Sequence, residues 1–139
     1  MQPRAFLDNI QEQIIEQLQQ AQQHIQVAVA WLTDTDIIRE LHQKTNEGIK
    51  VEIILNNDDI NQMRAFELGE MEKAGARIYR FTNEQDGIMH HKFCIIDYKK
   101  LLIGSYNWTY SASSKNNESV MLFEGVNNDA INSFIEMFK

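Results

Sequence analysis

His90 and Lys92 stand two apart at the head of an apolar run, in the stretch "HHKFCIIDYKKLLIGSYNWT" from His90 to Thr109. On a strand, residues two apart share a face. The imidazole and the ammonium therefore point the same way, and His91 points to the other face. An imidazole titrates near neutrality, with an ordinary pKa of about 6.5, so it can act as nucleophile or proton donor. A lysine beside it supplies a positive charge, which suits attack on an anionic centre such as phosphate. An isolated His-x-Lys is common on strands and by itself implies no chemistry. The residues that follow change this. Asp97 comes five after Lys92, and Gly104, Ser105 and Asn107 close the next strand. A Gly-Ser turn offers backbone N–H groups to an anion, and Asn107 supplies an amide donor.

The run His90-x-Lys92-x4-Asp97-x6-Gly104-Ser105-x-Asn107 resembles the HKD signature of the phospholipase D superfamily, HxKxxxxDxxxxxxGSxN, at every fixed position. Six fixed residues at set spacing arise by chance in roughly one chain per million of this length. The strand–helix order of the preceding half is also similar, so the resemblance covers nearly the whole chain. It implies a phosphodiesterase that needs no metal or other cofactor. One HKD histidine attacks phosphorus and forms a phosphohistidine. A second HKD histidine protonates the leaving oxygen and then serves as base for the water that releases the phosphate.

In-line displacement needs nucleophile and acid on opposite sides of phosphorus. This chain has one such motif, and His91 faces away. A two-fold homodimer with His90 of each subunit lining one pocket is the simplest solution. The resemblance makes Lys92, Asn107 and Ser105 the phosphate ligands, with Asp97 and Gly104 as structural members of the motif. Glu118 lies where single-motif relatives carry a glutamate that accepts from the histidine's other nitrogen; the alternative is a solvated residue at a strand start. Trp108 is either a stacking platform for a base or a buried residue at a turn. Lys99, Lys100 and Lys115 either steer a polyanion or solvate their loops. Cys94 shares the face of His90 deeper in and reads as core. His24 and His42 read as surface residues. "NNDDIN" at 56–61 reads as a helix cap before it reads as a metal site.

These residues must be held by a scaffold whose periodicity is readable. Residues 6–22 place Leu7, Ile10, Ile14, Leu18 and Ala21 on one helical stripe. Ile25–Trp31 alternates as a strand. Residues 33–48 read as a helix capped by Asp34 or Thr35 and stopped at Gly48. A strand over 49–57, a helix over 58–74 through Ile60, Met63, Phe66 and Met71, and a strand over 76–81 follow. Next come a loop at 82–87 and two strands, 89–97 and 100–105, turning at Tyr98–Lys99. A polar stretch leads to a strand over 118–124 and a final helix capped by an Asn or Asp. The expected fold is one α/β domain over residues 1–139, a mixed, largely parallel sheet with helices on both faces.

The formal net charge is −7, which opposes a broad non-specific nucleic-acid surface. The segment from Asp86 to Glu118 is locally about +1, with four lysines against three acidic residues. A dimer would carry about −14, so polyanion contact should be confined to one cleft and be salt-sensitive. One cysteine excludes an internal disulfide, and the four histidines form no metal-ligand pattern. No segment resembles a signal peptide or reaches transmembrane length. The expectation is a cytoplasmic protein without stable membrane association, either by itself or as part of a larger chain or assembly. Three functions stay open: a nuclease acting on DNA or RNA, which the single motif and locally basic site favour; a phosphodiesterase acting on a lipid such as cardiolipin, which requires an apolar docking surface; and a binding module without turnover.

Overall fold

The structure, a computed structural model, describes residues 3–82, 88–110, 112, 117–125 and 129–138. Most of the expected loop at 82–87, Lys115 and an asparagine cap at 127 or 128 lie outside the described residues. The elements are β1 (Arg4–Phe6), α1 (Ile10–Gln19), β2 (His24–Val29), α2 (Thr35–Asn46), β3 (Lys50–Asn56), α3 (Asp59–Gln62), α4 (Ala65–Lys73), β4 (Arg77–Phe81), β5 (Lys92–Ile96), β6 (Lys100–Gly104), β7 (Val120–Glu124) and α5 (Asp129–Ile135), the last followed by a 3-10 turn at Glu136–Phe138. The strands form one mixed sheet in the order β1-β7-β6-β5-β2-β3-β4. β2, β3 and β4 pair in parallel, because each is joined to the next through helix. The remaining pairings, β2–β5, β5–β6, β6–β7 and β1–β7, are antiparallel, so the sheet is mixed as expected but mainly antiparallel rather than largely parallel, because the second half of the chain joins its strands by turns and loops instead of crossover helices.

Strand parity sends side chains to two layers. Ile25, Val27, Val29, Val51, Ile53 and Leu55 pack with Ile14 and Leu18 of α1, Ile37 and Leu41 of α2, and Leu68 and Met71 of α4. Ala28, Phe93, Ile95 and Leu101 face the other way, against Ile131 and Phe134 of α5. Helices thus cover both faces, as the residue pattern requires. Asp34 caps α2 by accepting from the N–H groups of Asp36 and Ile37 at 2.9 and 3.2 Å. Gly48 follows its C-terminus at φ +90°, where a side chain would be strained.

Four further expectations change. A short edge strand, β1, precedes the first helix, and Asn9 in a left-handed conformation separates the two. Leu7 therefore lies ahead of the helix and is 73% exposed. The helix expected over 58–74 is broken at Met63–Arg64: Arg64 leaves helical geometry, and its Nε donates to Thr33 O at 3.0 Å. The break shifts the helical phase, so Ile60, Met63 and Phe66 are exposed while Leu68 and Met71 are buried. The turn between β5 and β6 centres one residue earlier than expected. Asp97 and Tyr98 both have positive φ, and Lys99 N–H closes on Ile96 O at 3.1 Å. Finally, His24 is 3% exposed rather than a surface residue, with Nε2 2.6 Å from Glu52 Oε1.

Candidate active site

The C-terminal ends of β2, β3 and β6 and the start of β5 lie at one end of the sheet. Val29 pairs with Lys92, and Ala30 N–H continues the ladder to His91 O at 3.0 Å. His90 thus stands just before β5, where the sheet opens to solvent, and it is exposed. Parity holds as expected: the His91 ring meets Phe93 edge-on at 5.8 Å, in the layer of α5, while Cys94 sits in the main core on the side of Lys92. Burial drives the Cys94 thiol far above its ordinary pKa, so it is an inert core residue.

Lys92 Nζ lies 3.1 Å from Nδ1 and 3.2 Å from Nε2 of His90, and donates to His90 O at 3.0 Å. An ammonium has only protons to give, so one ring nitrogen must present its lone pair to it. Partial burial lowers the pKa of Lys92, with Glu118 acting in the opposite direction. The pair therefore combines a lone pair with a half-buried positive charge at the mouth of the sheet.

Gly104 ends β6 against Val120. A Cβ there would lie 2.8 Å from Val120 Cα, so glycine is required for the two strands to approach. The close approach sets Ser105 N–H on Ser119 O at 3.0 Å and Ser119 N–H on Ser105 Oγ at 3.1 Å. The Ser105 hydroxyl donates to the Glu118 carboxylate. A serine has one hydroxyl proton, so in the free chain that proton serves Glu118 rather than a phosphate. Glu118 is likewise joined to Ser105 rather than to the His90 ring, whose nitrogens lie against Lys92 Nζ.

Asn107 accepts the Trp31 N–H at Oδ1, 3.3 Å away. Because a backbone N–H can only donate, this bond fixes which end of the amide is oxygen. Among the described residues no acceptor takes the Nδ2 protons, which leaves them for a phosphate oxygen. Trp108 is 3% exposed and bridges to Leu32, which settles it as a buried turn residue rather than a stacking platform. Asp97 lies at the opposite end of β5 and does not reach the site. Its carboxylate accepts from the N–H groups of Gln22, Gln23 and His24 at 2.8–3.2 Å. Lys99 and Lys100 share that far end; Lys100 pairs with Ile96, about 13 Å of strand from Lys92. Lys100 Nζ is held by Gln17 and Gln20, so neither lysine flanks the mouth.

Sequence reasoning missed Asn56, Asn61 and Trp31. Asn56 and Asn61 are buried amides that grip the backbone around the site, and Trp31 Nε1 donates to Asp58 Oδ2 at 2.8 Å. The available signal was the "NNDDIN" stretch directly after an apolar strand. Its Asp58 is indeed a cap, accepting from Asn61 N–H at 3.0 Å.

Residues 14–139 match the family described as "Cardiolipin synthase, PLD-like domain". The chain is similar to the mitochondrial cardiolipin hydrolase of Mus musculus, at 35% identity over 73% of this chain and 42% of that protein. It is also similar to a phospholipase D of Rickettsia typhi, at 33% identity over 80% of this chain and 53% of that protein. The chain thus spans about half the length of the curated relatives it matches. Its fold is similar to that of Nuc from Salmonella typhimurium, a phospholipase D family member, with a TM-score of 0.83, 19% identity, and coverage of 98% of this chain and 91% of that one. The signature at His90–Asn107, the placing of His90, Lys92, Ser105 and Asn107 at one end of a mixed sheet, and these likenesses agree: the chain belongs to the family of phospholipase D-like domains.

Proposed function

We propose that the chain is a metal-independent phosphodiesterase that cleaves nucleic acid through a phosphohistidine on His90, in a centre completed by a second copy of the chain. The observation that carries this reading is the His90–Lys92 pair at the open end of the sheet. A ring nitrogen of His90 forms a bond to phosphorus as the P–O bond to the leaving group breaks. Lys92 and the Nδ2 protons of Asn107 hold the non-bridging oxygens. His90 of the second copy gives its proton to the leaving oxygen. That ring then takes a proton from water, whose oxygen attacks phosphorus and breaks the N–P bond. Each step conserves charge and protons between the two imidazoles. Since His91 lies on the other face of β5, one chain supplies one imidazole, which supports a two-fold arrangement.

A polynucleotide suits the rim better than an anionic lipid does. Ser105, Asn107 and Ser119, at and after the end of β6, are polar and uncharged, and the Glu118 carboxylate beside them is bonded to Ser105. A lipid substrate is the second reading, and one structural feature favours it. Ile60 of α3, Met63 at the break and Phe66 of α4 are exposed, 42%, 63% and 74% respectively, beginning next to Asn61 at the site's end of the sheet. Asp59, Glu67 and Glu70 stand among them, and such charges repel an anionic bilayer.

The test is cleavage in EDTA by the purified protein and by His90→Ala, on single-stranded DNA, duplex DNA, RNA, bis(4-nitrophenyl) phosphate and cardiolipin liposomes. The expected result is cleavage of a nucleic acid that His90→Ala lacks. Turnover of liposomes alone establishes the lipid reading. A strict need for added divalent metal discards the mechanism, and binding without cleavage of any substrate makes the chain a module.

A further inference from the structure

We propose that Asn56, at the end of β3, is a positioning residue that sets His90 by gripping the backbone of Met89. The inference rests on the reading of His90 as nucleophile. Asn56 is 3% exposed. Its Oδ1 accepts the Met89 N–H at 3.1 Å, and its Nδ2 donates to Met89 O at 2.8 Å and to Ala30 O at 3.3 Å. Met89 thus has both backbone groups satisfied by one side chain, immediately before His90. β3 is not a neighbour of β5 in the sheet, because β2 lies between them. The amide therefore reaches past the end of β2 to hold a segment that no strand ladder holds.

Asn61, 4% exposed, braces this grip. Its Nδ2 donates to Asn56 O at 2.7 Å and to Ala30 O at 2.9 Å, and its Oδ1 accepts Leu32 N–H at 2.9 Å. Trp31, between those two residues, gives its N–H to Asn107. Two buried amides thereby join the backbone before the nucleophile to the backbone that orients a phosphate ligand. The chemistry demands an amide. Met89 presents one donor and one acceptor, and a neutral carboxamide answers both. Aspartate would set a buried charge against two carbonyls, and leucine would leave both groups unpaired.

Nucleophile placement governs the chemical step more than binding, and a shift of about 1 Å costs on the order of 100-fold in rate. The test is steady-state kinetics on bis(4-nitrophenyl) phosphate and 1H–13C spectra of the histidine rings, for wild type, Asn56→Ala, Asn56→Asp and the surface control Asn57→Ala. For Asn56→Ala we expect kcat down about 100-fold with KM within about twofold, the His90 cross-peak displaced and that of His42 in place. For Asn56→Asp we expect the kcat ratio to wild type to rise as pH falls, because a buried carboxyl that gains a proton regains the donor that Met89 O needs. Asn57→Ala should match wild type.

A folded Asn56→Ala with wild-type kcat and an unmoved His90 cross-peak overturns the proposal. So does a rise in KM alone, or failure of both Asn56 variants to fold, which assigns the residue to the fold. A wild type that cleaves nothing sinks the functional reading instead, and the His90 cross-peak still decides the positioning role.

Discussion

Asp97 and His24 bind each other's backbone reciprocally: Asp97 N–H donates to His24 O at 2.8 Å, and Asp97 Oδ1 accepts His24 N–H at 3.0 Å. The same carboxylate takes the N–H groups of Gln22 and Gln23, so the end of the hairpin is tied to the start of β2. The motif's aspartate is therefore a tether for the strand that carries Lys92, at the end away from the chemistry.

Asp97→Ala should lose about 2 kcal/mol of stability, the scale of hydrogen bonds to a charged acceptor. Its pKa is held below the usual carboxylate range: burial alone raises it, but the His24, Gln23 and Gln22 N–H groups, with Lys99 nearby, outweigh that. The unfolded chain then binds a proton more readily than the folded one. The tether's contribution is complete above about pH 4 and is lost as pH falls through the lowered folded pKa. Chemical denaturation of wild type and variant between pH 7 and pH 2 checks this. The gap between them should narrow in acid; a constant gap refutes it.

Lys92→Met should lower turnover about 100- to 1,000-fold, as expected for removal of a positive group facing developing charge. Because burial lowers the Lys92 pKa, activity in the wild type should fall with rising pH before the ordinary lysine value of about 10.4. Lys92→Arg keeps its charge over that range, so its residual activity should lose this alkaline decline. A pH–rate profile of the three proteins decides it.

Gly104→Ala should destabilise the protein by about 1–3 kcal/mol, the usual cost of forcing a group into a packed contact. The methyl would press on the backbone of Ser119 and Val120. The same displacement should separate Ser105 from Glu118 and depress activity beyond the fraction unfolded. Thermal melting and turnover at a temperature where the variant is folded measure the two effects; a wild-type melting temperature contradicts the close approach.

His24 should titrate below its ordinary value of about 6.5, because burial disfavours its charged form more than the bond to Glu52 favours it. The folded state then binds fewer protons than the unfolded one near pH 6. Stability from this site is complete above about pH 6.5 and declines as pH falls toward the folded pKa. An NMR titration of the His24 ring gives the midpoint, and a value above 6.5 would mean that the Glu52 carboxylate dominates.

Much of this protein is legible one-dimensionally because its signals are local. The alternation of Ile25, Val27 and Val29, the cap at Asp34 and the stop at Gly48 depend on neighbours within a few residues, and the structure agrees with them. The helix over 58–74 is not local in this sense. Its break depends on Arg64 bonding to Thr33 O, a residue 31 positions away that no periodicity reveals. β1 is similar, since its three residues become a strand through pairing with β7.

The sequence by itself determined the family, through the spacing from His90 to Asn107, and the layer that each strand side chain enters, because parity is a property of the backbone alone. Only the tertiary structure decided what holds them. Asp97 serves the distant Gln22–His24 loop, Ser105 serves Glu118, and Asn56 serves Met89 across a strand that separates them. Hydrogen-bond partners are chosen by proximity in space, and burial makes each choice binding, since an unmet polar group inside the protein is costly.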